Sequence, residues 1–174
     1  MPAVLFMTDP KQKIPFRIGH GYDLHRLQAG GNLMLGGILV SSEISPIAHS
    51  DGDVVIHATV DAILGAMGWG DIGELFANTD PKWRNAASRV FLESVWKRAT
   101  EAGMTLGNLD ITILAERPRL KVFKPAMVEE LAKLLNAKRD QINIKAGTNE
   151  ECDAIGRGEA IAAHAVVLLV KNSE

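Results

Sequence analysis

The sequence predicts an α+β fold, with a mixed sheet of four-stranded type that carries helices on one face. Segments with the alternation or β-branched content of strands are interspersed with segments whose apolar residues recur at helical spacing. Their order, β, β, α, α, β, α, β, β, contains neither a repeat nor a linker. Because 174 residues accommodate little more than one domain, we expect a loose leader over residues 1–15 and a single domain over residues 16–174.

Five segments are predicted to be strands: residues 16–24, 33–40, 109–116, 142–146 and 160–170. The second is interrupted by Gly36 and Gly37, a pair that is typical of a bend or bulge. The last is apolar on both faces, so both faces must be covered. In a chain of this size, another subunit can provide the second cover.

Three segments are predicted to be helices, with approximate bounds at residues 54–67, 86–102 and 124–137. Before the first, Ser50 can cap the free amides, and Asp53 stands three residues on at capping-box spacing. Gly103 follows the second helix at the position of a left-handed C-terminal cap. Pro125 suits the first turn of the third.

Composition and charge exclude several classes of function. Nineteen Lys and Arg against 21 Asp and Glu leave a net charge of -2, so no global basic field attracts nucleic acid. No apolar stretch is long enough for a membrane span, and residues 1–15 resemble neither a secretory signal nor a transit peptide. The single Cys152 excludes an internal disulfide and a multi-cysteine zinc site. We therefore expect a cytoplasmic protein in a reducing compartment, without a nucleic-acid or membrane partner.

One constellation has the donor types of a metal site. Asp23 and His25 point the same way in an extended chain, although such a pair is also common as an exposed hydrogen-bonded pair. His57 lies on a predicted helix, with Asp53 and Asp61 four residues to either side. This spacing indicates a polar stripe on one helix face, and it is equally typical of a core histidine or of an ordinary solvated face. If that helix begins near the end of the first strand, one oxygen and two nitrogens form a catalytic zinc site with an open position.

Two further segments are polar and rich in turn residues. Residues 70–80 are typical of a connection between helices, and their length also suits a flap over a polar substrate. Residues 145–150 end a strand, where the amides of Gly147 and Thr148 could hold phosphate oxygens and Glu150 could bind magnesium. As a bare pattern, this second segment indicates no more than a turn.

Five segments taken together resemble one family: residues 17–25 (RIGHGYDLH), 48–53 (AHSDGD) with His57, 70–73 (GDIG), 78–81 (NTDP) and 156–159 (GRGE). In order and spacing, the chain from residue 16 to residue 171 is similar to the 2-C-methyl-D-erythritol 2,4-cyclodiphosphate synthases. The resemblance implies a homotrimer whose sheets pack around a threefold axis, with the active sites between neighbouring subunits.

The resemblance also implies roles for individual residues. The Asp/His/His set matches the ligands of zinc, or of manganese or cobalt. Glu150 matches the ligand of a magnesium or manganese ion that bridges a diphosphate. His49 and Thr148 match catalytic residues that steady the transferring phosphate. Substrate contacts are implied for a larger set: Ser50, Asp71, Ile72, Gly73, Phe76, Ala77, Asn78, Thr79, Asp80, Ala115, Glu116, Arg117, Pro118, Arg119, Leu120, Lys121, Gly147, Asn149, Ala154 and Arg157.

The implied reaction is a cyclisation in the non-mevalonate (MEP) pathway of isoprenoid and terpenoid biosynthesis. The 2-phosphate of 4-diphosphocytidyl-2-C-methyl-D-erythritol 2-phosphate attacks the β-phosphorus and CMP leaves, which is the work of a metal-dependent phosphorus-oxygen lyase. No enzyme nucleophile is needed, so Cys152 is interpreted as a spectator. Two alternatives stay open: a metal-dependent phosphohydrolase, and a non-catalytic trimer that binds an isoprenoid diphosphate in its axial cavity.

The chain departs from the family pattern at two places that bear on ligands. Ala154 stands where many members carry an aromatic residue that lines the central cavity, although Arg157 and Glu159 are retained. Arg119 stands where a lysine is common, and a fork-shaped guanidinium is not equivalent to an ammonium.

Overall fold

The computed structural model describes residues 14–77, 79–84 and 86–172. The predicted leader lies almost wholly outside these residues, and so does the predicted substrate residue Asn78. The strands are β1 (Phe16–Ala29), β2 (Leu33–Leu35), β3 (Ile38–Ser41), β4 (Ile44–Pro46), β5 (Met104–Leu114), β6 (Ile142–Gly147) and β7 (Ala160–Lys171). The helices are α1 (Val54–Met67), α2 (Ile72–Leu75), α3 (Arg89–Glu101), α4 (Lys124–Leu134) and α5 (Asp153–Gly156).

The main sheet of the described chain has five strands in the order β4-β1-β7-β5-β6. The pairs β4–β1, β1–β7 and β7–β5 are antiparallel and β5–β6 is parallel, so the predicted α+β class and mixed sheet are confirmed. The predicted sheet of four-stranded type has one strand fewer than the observed sheet. The missing strand is β4, whose three residues are too few to show an alternating pattern.

The glycine pair in the second apolar run forms the turn of a separate hairpin, β2–β3. Gly36 and Gly37 both have positive φ, at 59° and 81°, which matches a two-residue hairpin turn that side-chain-bearing residues adopt only with strain. The predicted bend is therefore confirmed, and it divides the run into two strands.

The strands β1 and β5 are longer than their sequence patterns predict. β1 continues to Ala29, and β5 begins at Met104 rather than at residue 109. Both pair with β7 over nearly its whole length, and the ladder of backbone hydrogen bonds keeps polar residues extended where no alternation marks a strand.

The first helix begins at a different cap from the predicted one. Its N-cap is Asp53, whose carboxylate accepts hydrogen bonds from the amides of Val55 and Ile56, both at 3.1 Å. The same carboxylate accepts from the amides of Gly36 and Gly37 at 2.9 and 2.7 Å. Ser50 is therefore not the cap, because a residue three positions nearer the helix satisfies the free amides and also ties the β2–β3 turn to α1.

The other helix boundaries are nearer to expectation. The left-handed Gly103 after α3 and Pro125 in the first turn of α4 are confirmed. α3 starts at Arg89, later than predicted, and α4 ends at Leu134. The short α2 and α5 have no counterpart among the predicted elements, because four residues cannot display helical periodicity. No helix within the described ranges is both long and apolar enough to cross a membrane.

Helix α1 lies directly against the backbone of β1. A Cβ atom added at Gly19 would collide with the backbone oxygen of Ala62, and one added at Gly21 would collide with that of Ala58. The glycines thus have a packing role: they allow a helix with alanines on its contact face to approach the strand closely.

The opposite face of the sheet carries apolar side chains that nothing in the described chain covers. Ile18, Tyr22 and Leu24 of β1 are 65%, 45% and 41% exposed, and Val166 of β7 is 42% exposed. The alternate residues of β7, such as Ala165 and Val167, are buried beneath the helices. One face of this strand is therefore covered by its own chain; the other is covered only at its start, where Ala160 and Ala162 pack with Ile155 of α5, and is open around Val166.

We expect Gly21→Ala to destabilise the fold by about 3 kcal/mol, since an overpacked contact with a backbone atom cannot relax by a side-chain rotation. Gly65→Ala is the matched control: its Cβ would make only an ordinary contact, and alanine is favoured over glycine in a helix, so we expect a gain of about 0.5–1 kcal/mol. Urea unfolding of the two variants measures both changes. Equal stabilities would contradict the close contact.

Candidate metal centre and the pocket around it

Two neighbouring elements bring a carboxylate and two imidazoles together. Asp23 and His25 lie two residues apart on β1, on the face that packs against α1, and His57 lies on α1. Asp23 Oδ2 is 2.9 Å from His57 Nδ1 and 3.2 Å from His25 Nε2. The two imidazole nitrogens, His25 Nε2 and His57 Nδ1, are 3.3 Å apart. The three side chains named from the sequence thus form one cluster.

The ring of His57 separates the cluster from a second set of polar groups. Its Nδ1 atom faces Asp23 and His25, whereas its Nε2 atom is 2.8 Å from Ser88 Oγ and 3.2 Å from Ser50 Oγ. The imidazole is buried, because α1 carries it into the core. One nitrogen is thus directed at the cluster, and the other is already hydrogen-bonded.

Burial and charge act in opposite directions on this cluster. Burial raises the pKa of Asp23, but the hydrogen bond and charge of His57 and the charge of His25 lower that pKa more, so it lies below its ordinary value. Burial lowers the pKa of His57, but Asp23 raises it more, so it lies above its ordinary value. For His25, the lowering effect of burial exceeds the raising effect of the Asp23 charge, so the pKa of His25 lies below its ordinary value. Asp23 and His57 thus form an ion pair, beside a His25 that favours the neutral form.

The donor set fits a divalent first-row metal ion. Carboxylate oxygen and imidazole nitrogen are ligands of zinc, manganese and cobalt, and all three ligand atoms lie within 4.8 Å of one another. The two other carboxylates of the predicted stripe are directed elsewhere. Asp53 caps α1, and Asp61 accepts a hydrogen bond from the amide of Ile72 at 2.7 Å. The predicted stripe of carboxylate, imidazole and carboxylate is therefore not formed.

The cluster borders a cavity of about 300 Å³. The cavity is also lined by several predicted substrate or catalytic residues: His49, Ser50, Ile72, Gly73 and Phe76. Part of its wall is an aromatic group, in which Phe76 is 4.6 Å from Phe91 and 5.2 Å from Trp83, measured between ring centroids. Asp71 caps α2 at the rim through the amide of Glu74. The first predicted flap segment thus forms one side of this cavity.

The rest of the predicted flap leads away from α2. Ala77 and Thr79 follow it, and Asp80 caps a short 3-10 turn, Pro81–Trp83, through the amide of Lys82. Trp83 returns to the cavity wall.

A second cavity of about 380 Å³ lies where β5 and β6 end. Most of the second group of predicted residues lines it: Ala115, Glu116, Pro118, Arg119, Leu120, Lys121, Gly147 and Thr148. Arg117 lines an adjoining cavity. The Oε2 atom of Glu116 is buried and has no hydrogen-bond partner among the described residues. Glu116 thus lines the cavity with a carboxylate of which one oxygen is buried and lacks a hydrogen-bond partner in the described chain.

Four predicted residues lie around the loop that follows β6. Glu150 accepts a hydrogen bond from Thr148 Oγ1 at 3.1 Å, and Asn149 donates to Asp153 at 2.9 Å. Ala154, in α5, packs against a small apolar cluster that includes Ile155 of the same helix, and Arg157 pairs with Glu159. A single chain thus divides the predicted residues between two cavities and this loop.

Two residues near the metal centre were not found from the sequence. Ser88 is fully buried and contacts His57, and Asp51 accepts hydrogen bonds from the amide and hydroxyl of Ser88. Asp51 lies inside the motif at residues 48–53, which is a signal that could have been used. Ser88 stands 31 residues from His57 in the chain, and no local pattern marks it.

The described chain is thus an α+β protein with a candidate Asp/His/His metal centre that borders a cavity with an aromatic wall. The YgbB family matches residues 16–170, and the chain belongs to this family. It is 52% identical over 153 residues to the 2-C-methyl-D-erythritol 2,4-cyclodiphosphate synthase of Geobacter sulfurreducens, covering 88% of this chain and 98% of that protein. With the chloroplastic synthase of Arabidopsis thaliana, it shares 48% identity over 162 residues, 93% of this chain and 70% of the relative.

Solved structures agree with this relationship. The complex of Plasmodium falciparum IspF with CDP superposes with a TM-score of 0.81 at 32% identity, covering 91% of this chain and 97% of that one. The bifunctional IspDF of Campylobacter jejuni gives a TM-score of 0.88 at 40% identity. The match covers 91% of this chain and 43% of the bifunctional chain.

The opposed pKa shifts predict a stability maximum in the chelator-treated protein. Protonated His57 stabilises the fold fully below its ordinary pKa of 6.5, and this contribution is lost as pH rises through the raised pKa. The lowered pKa of His25 has the opposite sign: stability is lost as pH falls below its ordinary 6.5. Urea unfolding should therefore show the cluster contributing most near pH 6.5.

The variant His57→Gln isolates the first part of this profile. It should lose the decline in stability above pH 6.5 that the unaltered chain shows. A decline of the same size in the variant and the unaltered chain would contradict the ion pair between Asp23 and His57.

Proposed function

We propose that this chain cyclises 4-diphosphocytidyl-2-C-methyl-D-erythritol 2-phosphate to 2-C-methyl-D-erythritol 2,4-cyclodiphosphate and releases CMP. It would act as a metal-dependent phosphorus-oxygen lyase in the non-mevalonate route to isoprenoid precursors. The observation that carries the proposal is the convergence of Asp23, His25 and His57 beside a cavity, in a chain about half identical to enzymes with this name. The cytoplasmic location stays a prediction from composition.

Asp23, His25 and His57 would hold a divalent ion, zinc or else manganese or cobalt. When bound, such an ion supplies positive charge that offsets the charge gathering on a reacting phosphate. Only one of the three ligands is anionic, so a divalent ion in this set keeps a net positive charge. His57 must give up the proton on Nδ1 to bind the ion, while its Nε2 atom keeps its hydrogen bonds.

The proposed reaction is balanced without a water molecule as a reactant. An oxygen of the 2-phosphate forms a bond to the β-phosphorus, and the bond from that phosphorus to the bridging oxygen breaks. The bridging oxygen leaves with its electron pair on the α-phosphate of CMP. The protein must bring two anionic groups together in one orientation and must keep water from attacking the same phosphorus.

Residues of the first cavity suit both tasks. His49 and Ser50 line it beside the metal centre and can donate hydrogen bonds to phosphate oxygens. Ile72 and Gly73 would enclose the methylerythritol part. The rings of Phe76 and Phe91 have no hydrogen-bonding atom on that wall, and Trp83 has only its indole N–H, so this wall would offer few partners to a water molecule near the phosphorus.

The second cavity suits the nucleotide part. Arg119, Lys121 and Lys124 place positive charge around it, and the carboxylate of Glu116 in its lining would accept a hydrogen bond from an amino group such as that of cytosine. Thr148 would steady the diphosphate, and the neighbouring Glu150 would hold a magnesium or manganese ion, whose charge would offset that of the phosphates.

We propose further that three copies assemble on the open apolar sheet face. Exposed side chains such as Ile18 and Val166 would pack around the threefold axis, and the first cavity of one subunit would meet the second cavity of its neighbour. Arg157 and Glu159 lie on the loop that would border the axis, where an isoprenoid diphosphate could bind. Ala154 offers such a ligand less apolar surface than an aromatic residue.

Phosphorus NMR tests the activity directly. Protein incubated with the proposed substrate, magnesium and zinc should produce CMP and a cyclic diphosphate, and a chelator or His57→Ala should reduce the rate at least about a thousandfold, because the variant lacks a metal ligand. Lys97→Ala, on the exposed side of α3, is the control and should retain the full rate.

Other outcomes of this experiment identify the alternatives. CMP with a linear product would mean that water attacks the phosphorus, and the protein would be a phosphohydrolase. A folded, zinc-loaded protein without turnover would be a binding protein, and melting experiments with an isoprenoid diphosphate would then test its axial cavity.

Light scattering tests the assembly. The unaltered chain should have the mass of a trimer, and Ile18→Glu should reduce it to a monomer, because a buried ring of three like charges is strongly unfavourable. Leu39→Glu is the matched control: Leu39 is also exposed and apolar, but it lies on the β2–β3 hairpin, so the trimer should persist. A monomeric unaltered chain would contradict the assembly.

A further inference from the structure

The side of His57 that faces away from the metal centre is held by two residues with no role so far. Ser88 Oγ lies 2.8 Å from His57 Nε2, and the same hydroxyl group donates a hydrogen bond to Asp51 Oδ1. We propose that Ser88 and Asp51 are positioning residues that keep the proton of His57 on Nε2, so that Nδ1 presents its lone pair to the metal. This inference rests on the metal centre of the proposed function.

The donors and acceptors in this chain have one consistent arrangement. An ionised Asp51 can only accept hydrogen bonds, so the hydroxyl proton of Ser88 must point to it. The lone pairs of the Ser88 oxygen are then the groups that face His57, and they require a proton on Nε2. A neutral imidazole with its proton on Nε2 has a free lone pair on Nδ1, the nitrogen beside Asp23 and His25.

Ser88 occupies a position where serine normally has a different task. It is the N-cap residue of α3, yet its side chain makes no capping hydrogen bond to that helix. Serine at this position usually accepts a bond from an amide of the first turn, and forgoing that bond costs stability. Its hydroxyl group is fully buried and bonds only to groups outside α3, which indicates that its place is determined by His57 and Asp51.

Asp51 is itself held firmly. Its Oδ2 atom accepts from the amide of Ser88 at 3.0 Å, and its own amide donates to the carbonyl of Ala86 at 3.1 Å. The amide of Asp53 lies 3.3 Å from Oδ1. Asp51 therefore joins the segment before α1 to the segment before α3, and the orientation of His57 depends on both.

Ser50 contacts the same nitrogen but is placed differently. Its Oγ atom is 3.2 Å from His57 Nε2, accepts from the amide of Gly52 at 3.1 Å, and lines the open cavity. A substrate in the cavity can compete for the Ser50 hydroxyl group. Ser88 is fully buried, so its bond to His57 persists whether or not the cavity is filled.

Competition between the protein and a chromophoric chelator for Zn²⁺ tests the proposal. Ser88→Ala should weaken zinc binding roughly 10- to 100-fold, as is typical when the outer partner of a metal-binding histidine is lost. Thr59→Ala is the matched control: Thr59 is also fully buried, and its hydroxyl group bonds to Val55 on the same helix without contacting His57. It should change zinc affinity by less than about twofold while lowering stability, as loss of a buried hydrogen bond does.

Proton NMR of the zinc-loaded protein provides a readout that general destabilisation does not reproduce. The Nε2 proton of His57 should give a downfield resonance that exchanges slowly with water in the unaltered chain and in Thr59→Ala. It should exchange at least about tenfold faster in Ser88→Ala, and Ser88→Thr, which restores a hydroxyl group, should recover part of the protection. If Ser88→Ala does not fold, Asp51→Asn replaces it, with an expected loss of zinc affinity of at least about threefold.

The outcomes separate this proposal from the one on which it rests. Zinc binding by the unaltered chain, together with unchanged affinity and exchange in Ser88→Ala, or in Asp51→Asn if that variant is used, would overturn the positioning role and leave the metal centre intact. An equal loss of affinity in Thr59→Ala would also overturn it. No zinc binding by the unaltered chain would overturn both.

Discussion

The contact between α1 and β1 is the constraint on which the candidate site depends. Gly19 and Gly21 have no side chains, so the helix rests on the strand backbone through its alanines. The next inward-facing residues of the same strand are Asp23 and His25, and the helix residue above them is His57. A strand with larger residues before the site would hold the helix farther away, and the carboxylate and imidazoles could not share one ion.

The site combines a charged cluster with rigid support. Asp23 and His57 form a partly buried ion pair, which is costly unless further hydrogen bonds orient it. Ser88 and Ser50 provide these on the far side of the imidazole, and the aromatic rings of Phe76 and Phe91 form an apolar wall beside it. An arrangement of this kind is suited to a reaction between two phosphates, because charge is offset in a fixed geometry and the main competitor of the attacking phosphate is water.

The two faces of the main sheet differ in what covers them. Helices cover one face of the sheet, and the other presents apolar side chains around β1 and β7. Asp23, beside the first cavity, is in register with Ala163 of β7. Ala163 is in turn in register with Ile113 of β5, which lies just before the second cavity, so the two cavities lie on either side of β7. In the proposed trimer, the first cavity of one copy would meet the second cavity of its neighbour, and the pair would suit a flexible substrate with a nucleotide at one end and a phosphate at the other.

The sequence by itself determined the fold class, the approximate bounds of the longer elements and the pairing of Asp23 with His25, because strand and helix periodicity are local properties. The family resemblance also indicated His57 and many of the residues that line the two cavities, but not Trp83, Phe91 or Lys124. Three features emerge only from the folded chain: Asp53 caps α1 and does not face the candidate metal centre, β4 joins the sheet, and Ser88 contacts His57. These depend on contacts between distant segments, which no local spacing encodes and which form only when α1, α3 and β1 pack together.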